Sequence, residues 1–344
     1  MKRLEYIWLD GNETPQLRSK TRFAEEITEW NFDGGSTKQG SLEDSDRMLK
    51  PVRSYKDPFV DGYLVLCEVC YHDGTPHESN SRNALMSLDT SKYDPWFGLE
   101  QEVTFLLPET RQPLGMLLQP EEQGPYYCGV GRMNAVGRDI MTEFEERCSN
   151  SGISLGGINA EVMPGQWEFQ TTAQAPVRVS DDLWMARYIL ARISEEKGVE
   201  VSYDPKPHSE FNGAGCHVNF STNKMRHSLT DLMIEDFMRC LEEDHDEHIK
   251  VCGEGVERRM TGECETSDYQ KFTWGVSDRG ASVRIPQKVN MDGRGYIEDR
   301  RPCANIDPYK VVFSLLSTTK KSVSYTHLRA HETPEHLVCR LLLE

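Results

Sequence analysis

Two glutamates separated by one residue, Glu100 and Glu102, stand inside an apolar and aromatic run, Asp94-Pro-Trp-Phe-Gly-Leu-Glu-Gln-Glu-Val-Thr-Phe105. In a strand the side-chain period is two, so both carboxylates point to one face while Leu99, Gln101 and Val103 point to the other. Two anions on one face of a buried strand repel each other and are costly to desolvate unless a cation sits between them. A divalent metal is the natural partner, and oxygen ligands favour Mg²⁺ or Mn²⁺ over zinc. Taken alone, an E-x-E reads more readily as an edge strand with solvated acids. The rest of the chain decides against that.

Ala160-Glu-Val-Met-Pro-Gly-Gln-Trp-Glu-Phe-Gln170 sets Glu161 and Glu168 among apolar neighbours. Asn212-Gly-Ala-Gly-Cys-His-Val-Asn-Phe-Ser-Thr222 places His217 behind a glycine turn, at the start of a strand-like run. Arg279-Gly-Ala-Ser-Val-Arg-Ile-Pro286 and Gly295-Tyr-Ile-Glu-Asp-Arg-Arg-Pro302 add Arg279, Arg284, Glu298, Arg300 and Arg301. Five acids, a histidine and several arginines could line one cavity, with metals in the middle and polyphosphate and a carboxylate substrate around them.

The elements that must position these residues fall into two parts. Tyr6–Leu9, Leu17–Arg22 and Leu64–Val69 read as strands separated by turns such as Asp10-Gly-Asn-Glu-Thr-Pro15, forming a small β-rich domain over residues 1–83. The hydrophilic loop from Lys38 to Asp46 is a surface excursion or a functional lid. Residues 84–322 alternate strand-like segments with helices expected over Asn134–Cys148, Asp181–Lys197 and Ser228–Glu243. The second helix carries Leu183, Ala186, Ile189 and Leu190 at amphipathic spacing, and Ser228 is a plausible N-cap for the third. An antiparallel sheet flanked by helices, α+β in class, fits this alternation.

Composition narrows the partners. A formal net charge of −17 over 344 residues argues against a nucleic-acid backbone or an anionic membrane. The chain has neither a signal-peptide core at its start nor an 18-residue apolar run, so the cytoplasm is the expected compartment. Ten scattered cysteines suit a reducing environment. Cys67 and Cys70 form a C-x-x-C within a strand, on opposite faces and without a second pair, which disfavours zinc or redox chemistry.

The motifs Trp30-Asn-Phe-Asp-Gly34, Trp96-Phe-Gly-Leu-Glu-Gln-Glu102, Gln123-Gly-Pro-Tyr-Tyr-Cys-Gly-Val-Gly131, Asn159-Ala-Glu-Val-Met-Pro-Gly-Gln-Trp-Glu-Phe-Gln170, Asn212-Gly-Ala-Gly-Cys-His217 and Glu298-Asp-Arg-Arg-Pro302 occur in the order found in type II, eukaryotic-type glutamine synthetases. The chain resembles that family from about Tyr6 to Thr318. The resemblance implies an N-terminal β-grasp domain, a catalytic domain with a curved antiparallel sheet, and a homo-oligomer, a decamer of two pentameric rings, whose active sites are shared between subunits. It implies ligation of ammonia to L-glutamate with ATP as co-substrate, through γ-glutamyl phosphate, with two Mg²⁺ or Mn²⁺ sites. One metal falls to Glu102, Glu161 and Glu168, the other to Glu100, His217 and Glu298. Arg279 and Arg284 match phosphate-side arginines, and Arg259 and Arg300 match those near the substrate and the transferring group. Asn212 and Gly213 match the holders of glutamate's amino-acid end, with Asp46 beside the substrate. Trp96, Asn219, Ser221 and Tyr296 fall at nucleotide-side positions. Asp33 matches the acid that binds and deprotonates ammonium, and Glu265 the flap glutamate that shields the intermediate from water.

Several positions depart from the family pattern. The usual Asp-Gly-Ser-Ser is Asp33-Gly-Gly-Ser36, the flap is Gly262-Glu-Cys-Glu-Thr-Ser267, and Lys206–Asn212 is one residue shorter and lacks its tryptophan. Two other activities fit the same framework: a γ-glutamyl-amine ligase and a non-catalytic ring protein. The complete set of six expected ligands argues against the ring protein, and the Trp30-Asn-Phe-Asp-Gly34 loop favours ammonia, since ammonium needs Asp33 whereas bulky amines need an open apolar pocket. Finally, Val323 to Glu344 matches the translation of a common sequencing-library adapter, so the natural sequence is expected to be cut off near Lys321 with its own C-terminus replaced, and His327, His331, His336 and Cys339 carry no expected role.

Overall fold

The computed structural model describes residues 1–116 and 124–330, with side chains through residue 322. Gln123 of the Gln-Gly-Pro motif and residues 331–344 of the adapter-like tail, with His331, His336 and Cys339, lie outside the described residues.

The first sheet holds β1 (Lys2–Leu9), β2 (Leu17–Ala24), β3 (Trp30–Asp33), β4 (Asp46–Lys56) and β5 (Gly62–Cys70), in the order β2-β1-β5-β4-β3. Its central pair, β1 and β5, is parallel and the other pairs are antiparallel. Strand parity sorts the two faces. Leu4, Tyr6, Trp8, Val65, Cys67 and Val69 pack with Phe32 and Leu49 in a small cluster, while Ile7, Leu64 and Leu66 join the main core. Cys67 and Cys70, three apart, therefore sit on opposite faces, and both are buried free thiols.

The second sheet is built on β6 (Trp96–Leu106), with β7 (Leu155–Ala160), β8 (Gln166–Thr171), β9 (Glu200–Ser202), β10 (Cys216–Ser221), β11 (Trp274–Val276), β12 (Val283–Ile285) and β13 (Ile297–Asp299). Its order is β11-β12-β13-β10-β6-β8-β7, and β9 also pairs with β6. The sheet is antiparallel, as expected, except for the parallel pair β11–β12. Among the described residues the helices are α1 (Ser81–Met86), α2 (Arg138–Asn150), α3 (Pro176–Lys197), α4 (Asn223–His227), α5 (Asp231–Glu243), α6 (His245–Ile249), α7 (Val256–Arg259), α8 (Gln287–Asp292) and α9 (Pro308–Ala330). The chain is thus α+β: a five-stranded N-terminal sheet, then a larger sheet with helices.

Three helix expectations need correcting. The helix expected from Ser228 starts at Asp231, because Thr230 Oγ1 accepts the Met233 N–H at 3.3 Å and caps it. Ser228 instead closes α4 in an extended conformation. The helix expected from Asn134 starts at Arg138, since Gly137 adopts a left-handed φ of 90° and breaks the approach. The expected amphipathic helix is α3, which starts at Pro176 and is buried nearly all round from Val179 to Leu190, including Asp181, Asp182 and Arg187. It lies against β6 and β8 on one side and α1, α2 and α9 on the others, leaving no solvent face.

The buried charges on α3 are fully engaged, as burial demands. Asp181 accepts from Arg53 Nε at 2.9 Å, Arg82 Nε at 2.8 Å and the Tyr309 hydroxyl at 2.7 Å. Asp182 accepts from the Tyr55 hydroxyl at 2.8 Å and Arg178 Nε at 2.8 Å. These acids tie β4 of the first sheet to the helices behind the second. Arg187 donates to Gln101 Oε1 at 2.9 Å and to the carbonyls of Ile306 and Ala304 at 2.8 and 3.0 Å. Gln101 is the residue between the two glutamates, so β6 is anchored from behind at the position where its other face carries them.

Arg301, expected in the cavity, is on that rear side and fully buried. Its guanidinium donates to both oxygens of Asp299, at 2.9 and 2.7 Å, and to Nδ1 of His245 and of His248, each at 3.3 Å. A guanidinium can only donate, so both Nδ1 atoms accept and both imidazoles are neutral, with Nε2–H donating to the Tyr269 carbonyl and to Thr318 Oγ1, each at 2.9 Å. Burial, with Arg301 second, lowers the His248 pKa to about 3. A folded pKa below the unfolded one gives a stability contribution that is complete above about pH 6.5 and is lost as pH falls toward about 3. Between pH 7 and pH 5 the chain should therefore lose up to about 2 kcal/mol more stability than a His248→Gln variant, which keeps a donor and an acceptor but cannot titrate. Urea unfolding at the two pH values measures this; equal losses in both proteins would refute it.

Candidate active site

Strand register sets the expected residues side by side on the front face of the second sheet. Glu102 of β6 is paired with Glu168 of β8, which is paired with Asn159 of β7. One step along, Glu100 lies between Gln170 of β8 and His217 of β10. Asn219 of β10 is paired with Glu298 of β13, which is paired with Arg284 of β12. Odd-numbered β6 residues and even-numbered β10 residues, Leu99, Val103, Val218 and Phe220 among them, fill the core behind. The front face is a polar lattice on an apolar floor.

That lattice lines a cavity of about 500 Å³. Around it are Glu100, Glu102, Glu161, Glu168, His217 and Glu298 with Arg259, Arg279, Arg284 and Arg300. Asn212, Gly213, Glu265 and Tyr296 complete the expected set there. His217 Nδ1 stands 3.7 Å from Glu100 Oε2 and 3.7 Å from Glu298 Oε1, and its Nε2 is 4.0 Å from Glu102 Oε1. Glu100, Glu168 and His217 bring ligand atoms within 4.8 Å of one another, near enough to share a cation. This trio takes members from both expected ligand sets.

The electrostatics call for such a cation. Burial raises the Glu102 carboxyl to about 7, against the pull of Arg259 and of the Gly215 N–H. Burial, then the charges of Glu102 and Glu168, raises Glu161 to about 9. Glu168 is raised to about 8 by burial and by Glu100 and Glu102. His217 is held well below its ordinary value by burial and by the neighbouring Arg300 and Arg259. Among the described residues no lysine or arginine pairs with Glu161 or Glu168, whose side-chain hydrogen bonds come from amides. A donor set of carboxylates and a neutral imidazole, short of counter-charge, fits a hard divalent cation.

The opposite end of the cavity is different. Glu298 is bonded by both Arg284 and Arg300, the latter at 2.7 Å. Arg259 Nη2 donates to His217 Nε2 at 2.9 Å, and its Nη1 donates to the Arg300 carbonyl at 3.1 Å. The glycine turn before His217 is explained by this crowding. A Cβ at Gly215 would lie 2.6 Å from Arg259 Nη2, and one at Gly213 would lie 2.4 Å from the Pro205 carbonyl oxygen. The segment around Glu265 forms a rim tied by the Thr261–Asp268 bridge, with Cys264 and Glu265 both left-handed, at φ 52° and 58°. Arg300 reaches its backbone, donating to the Glu265 carbonyl at 3.4 Å.

Besides Arg301, five expected residues are not on the cavity wall. Trp96 and Ser221 face each other in register at the far end of β6 and β10, and Arg226 joins them, stacking on the Trp96 ring at 4.4 Å and donating to Ser221 Oγ at 3.2 Å. Asn219 points back at the acids and donates to Glu100 Oε1 at 2.7 Å. Asp33 and Asp46 pair in register on β3 and β4 and are exposed. The Asp33 carboxylate accepts from Ser36 Oγ at 2.6 Å and Gly35 N–H at 3.0 Å, which hold it below the ordinary carboxylate range. Conversely, Tyr127, Asn159, Gln170, Cys264 and Thr266 line the cavity without having been singled out. Asn159 and Gln170 each lie two residues from an expected ligand glutamate, so the strand period could have found them; Tyr127 and Thr266 stand inside the Gln123–Gly131 and Gly262–Ser267 segments, but nothing in their spacing marks them as cavity lining.

Comparison with known proteins agrees with this geometry. The family described as glutamine synthetase, catalytic domain, matches residues 78–235. The chain is 45% identical over 331 residues to a glutamine synthetase cytosolic isozyme, 1-5, of Arabidopsis thaliana, covering 92% of this chain and 94% of that protein. It is 45% identical over 327 residues to the glutamine synthetase of Agaricus bisporus, with 92% of each covered, and 45% identical to that of Emericella nidulans, with 91% of each covered. With a carboxylate-rich face on β6, β8, β10 and β13 and this likeness over nearly its whole length, the chain belongs to the glutamine synthetase family.

Proposed function

We propose that the chain ligates ammonia to L-glutamate at the expense of ATP, giving glutamine, ADP and phosphate through γ-glutamyl phosphate. The observation that carries this reading is the polarity of one cavity: buried carboxylates short of counter-charge at one end, arginines at the other. Glu102, Glu161 and Glu168 would hold one Mg²⁺ or Mn²⁺, and Glu100, His217 and Glu298 a second. Bound there, the ions supply Lewis-acid neutralisation of phosphate and carboxylate charge. Arg279 and Arg284 steady the phosphates, and Arg259 and Arg300, with Asn212 and Gly213, orient glutamate. Trp96, Ser221, Tyr296 and Asn219 form the nucleotide side. Glutamate's γ-carboxylate is a poor electrophile until phosphorylated, and ammonium has no lone pair until an acid–base group takes its proton. Asp33 fills that second role, with Asp46 near the substrate.

Asp33 and Asp46 are exposed and off their own chain's cavity, which supports a site completed by a neighbouring copy in a homo-oligomer, read here as a decamer of two pentameric rings. The expected compartment is the cytoplasm. Some relatives are named cytosolic isozymes, and among the described residues no helix is long and apolar enough to cross a membrane. ADP and glutamine release with glutamate, ATP and ammonium tests the activity directly. Turnover with polyamines but not ammonium would favour a γ-glutamyl-amine ligase, and no turnover with either a non-catalytic ring protein.

Three outcomes follow from the roles assigned. His217→Ala should raise the Mg²⁺ concentration needed for half-maximal turnover by about tenfold or more while leaving the metal-free melting curve in place; unchanged activity at limiting Mg²⁺ would remove His217 from the metal. Asp33→Ala and Glu161→Ala, each inactive alone, should regain activity when co-assembled, because mixed rings contain some intact sites, and a lack of recovery in verified mixed oligomers would mean that one chain builds the whole site. Glu265→Ala should keep phosphoryl transfer but leak the acyl phosphate to water, so ADP exceeds glutamine at low ammonium. A one-to-one ratio in that variant would exclude a shielding role.

A further inference from the structure

Each carboxylate on the unpaired end of the cavity is touched by a neutral N–H donor. Asn159 Nδ2 donates to Glu161 Oε1 at 2.9 Å, and Gln170 Nε2 donates to Glu168 Oε1 at 2.8 Å. Asn219 does the same for Glu100 at 2.7 Å, and the Gly215 N–H for Glu102 Oε2 at 3.0 Å. Glu161 has one further partner, the Val162 N–H to its Oε2 at 3.3 Å. Facing a carboxylate, an amide side chain must present its NH₂, since its oxygen would be repelled. At the other end, Glu298 is held by two guanidinium groups.

The difference is chemical. A lysine or arginine beside Glu161 or Glu168 would fix the carboxylate but offset part of the charge that draws a cation, as Arg284 and Arg300 do at Glu298. A neutral amide fixes it and leaves the charge. Each amide passes over the acid opposite it for the one two residues along its own chain: Asn159 is opposite Glu168 and bonds Glu161, while Gln170 is opposite Glu100 and bonds Glu168. Asn159 and Gln170 share the front face with the acids, so Glu161 and Glu168 are each braced from the side by an amide of the same chain segment. In Glu100 and Glu102 the oxygen not engaged by the N–H donor is the one that faces His217.

We propose that Asn159 and Gln170 are positioning residues for the metal carboxylates: their amides clamp Glu161 and Glu168 in one orientation without neutralising them, and so set the geometry into which a small divalent cation must fit. This rests on the metal reading given under the proposed function. A braced site favours Mn²⁺ and Mg²⁺, which demand compact regular coordination, over Ca²⁺, which accepts more ligands in looser geometry. Loosening the braces should therefore reduce Mn²⁺ affinity more than Ca²⁺ affinity. A residue that served only the fold would move both together.

The test is Mn²⁺ titration of the nucleotide-free full-length chain, followed by the electron paramagnetic resonance of free Mn²⁺, with Ca²⁺ measured by competition. Asn159→Ala and Gln170→Ala should each raise the Mn²⁺ dissociation constant about 10–100-fold, with a smaller rise for Ca²⁺. Asn159→Leu and Gln170→Met keep volume but cannot donate; they carry the same expectation and give the answer if an alanine variant fails to fold. Mn²⁺ binding within threefold of wild type in both isosteric variants would overturn the inference, as would equal losses for the two cations. A wild-type chain that binds no Mn²⁺ would overturn the metal reading itself, and this inference with it.

Discussion

The constraint on which this structure turns is the mutual repulsion of carboxylates held together out of water. Glu100, Glu102, Glu161, Glu168 and Glu298 share one cavity, three of them with pKa values pushed up to between about 7 and about 9. Two like charges 4 Å apart cost about 4 kcal/mol at an effective dielectric of 20. A compliant sheet would relieve that strain by letting the strands move apart. The rear of the sheet prevents it. Leu99, Val103, Val218, Phe220, Trp167 and Phe169 are all buried behind the acids, and Arg187 locks Gln101 to the chain at Ala304 and Ile306. Asp181 and Asp182 then fix α3 against Arg53, Arg82, Tyr55 and Tyr309. The polar ties behind the sheet are thus what allow an electrostatically unfavourable front face.

Charge is graded across that face rather than balanced at each point. From β7 to β6 the acids have amide and backbone partners; at β13 and β12, Glu298 meets Arg284 and Arg300. An anionic substrate entering such a cavity meets arginines at one end, while cations are drawn to the other. A reaction that moves a phosphoryl group needs both poles within a few ångströms, and the antiparallel register of β8, β6, β10 and β13 supplies them in adjacent strands.

How much of this was legible in the sequence depended on strand length and on what lies behind each strand. In β6, eleven residues long, the period of two assigns Glu100 and Glu102 to one face and Gln101 to the other, as found. The three-residue β13 offers no such pattern, so Arg301 read as a companion of Arg300 although the backbone sends it to the rear, against Asp299. The apolar spacing of α3 was genuine, but nothing local shows that Asp181 is buried, because its partners Arg53 and Tyr309 each lie 128 residues away. The start of α5 was misread for a local reason: Ser228 and Thr230 are both competent caps, and the choice falls to Thr230 because Ser228 ends α4 and the next N–H, of Leu229, is taken by the Gly293 carbonyl at 2.7 Å. Long strands and motifs carry their own geometry; short strands and buried ion pairs acquire theirs from distant partners.

The loop after Asp33 bears on the shared-site reading through its rigidity. It is exposed, Leu42 almost completely, yet it is not held loosely. Gly34 N–H donates to the Ser45 carbonyl at 2.7 Å, Gln39 N–H to the Gly34 carbonyl at 2.8 Å, and Gln39 Nε2 to the Leu9 carbonyl at 3.0 Å. A Cβ at Gly34 would lie 2.7 Å from Arg47 Cγ, so the turn closes against its own sheet. Ordering a floppy loop on association would consume binding free energy; a loop already fixed by its own hydrogen bonds does not. A solvent-facing acid presented on so well-braced a turn, away from the cavity of its own chain, has the form expected of a group delivered to the cavity of another. On the shared-site proposal, the surface-excursion and lid readings of Lys38–Asp46 would become one: an excursion in its own subunit would serve as a wall for the neighbour.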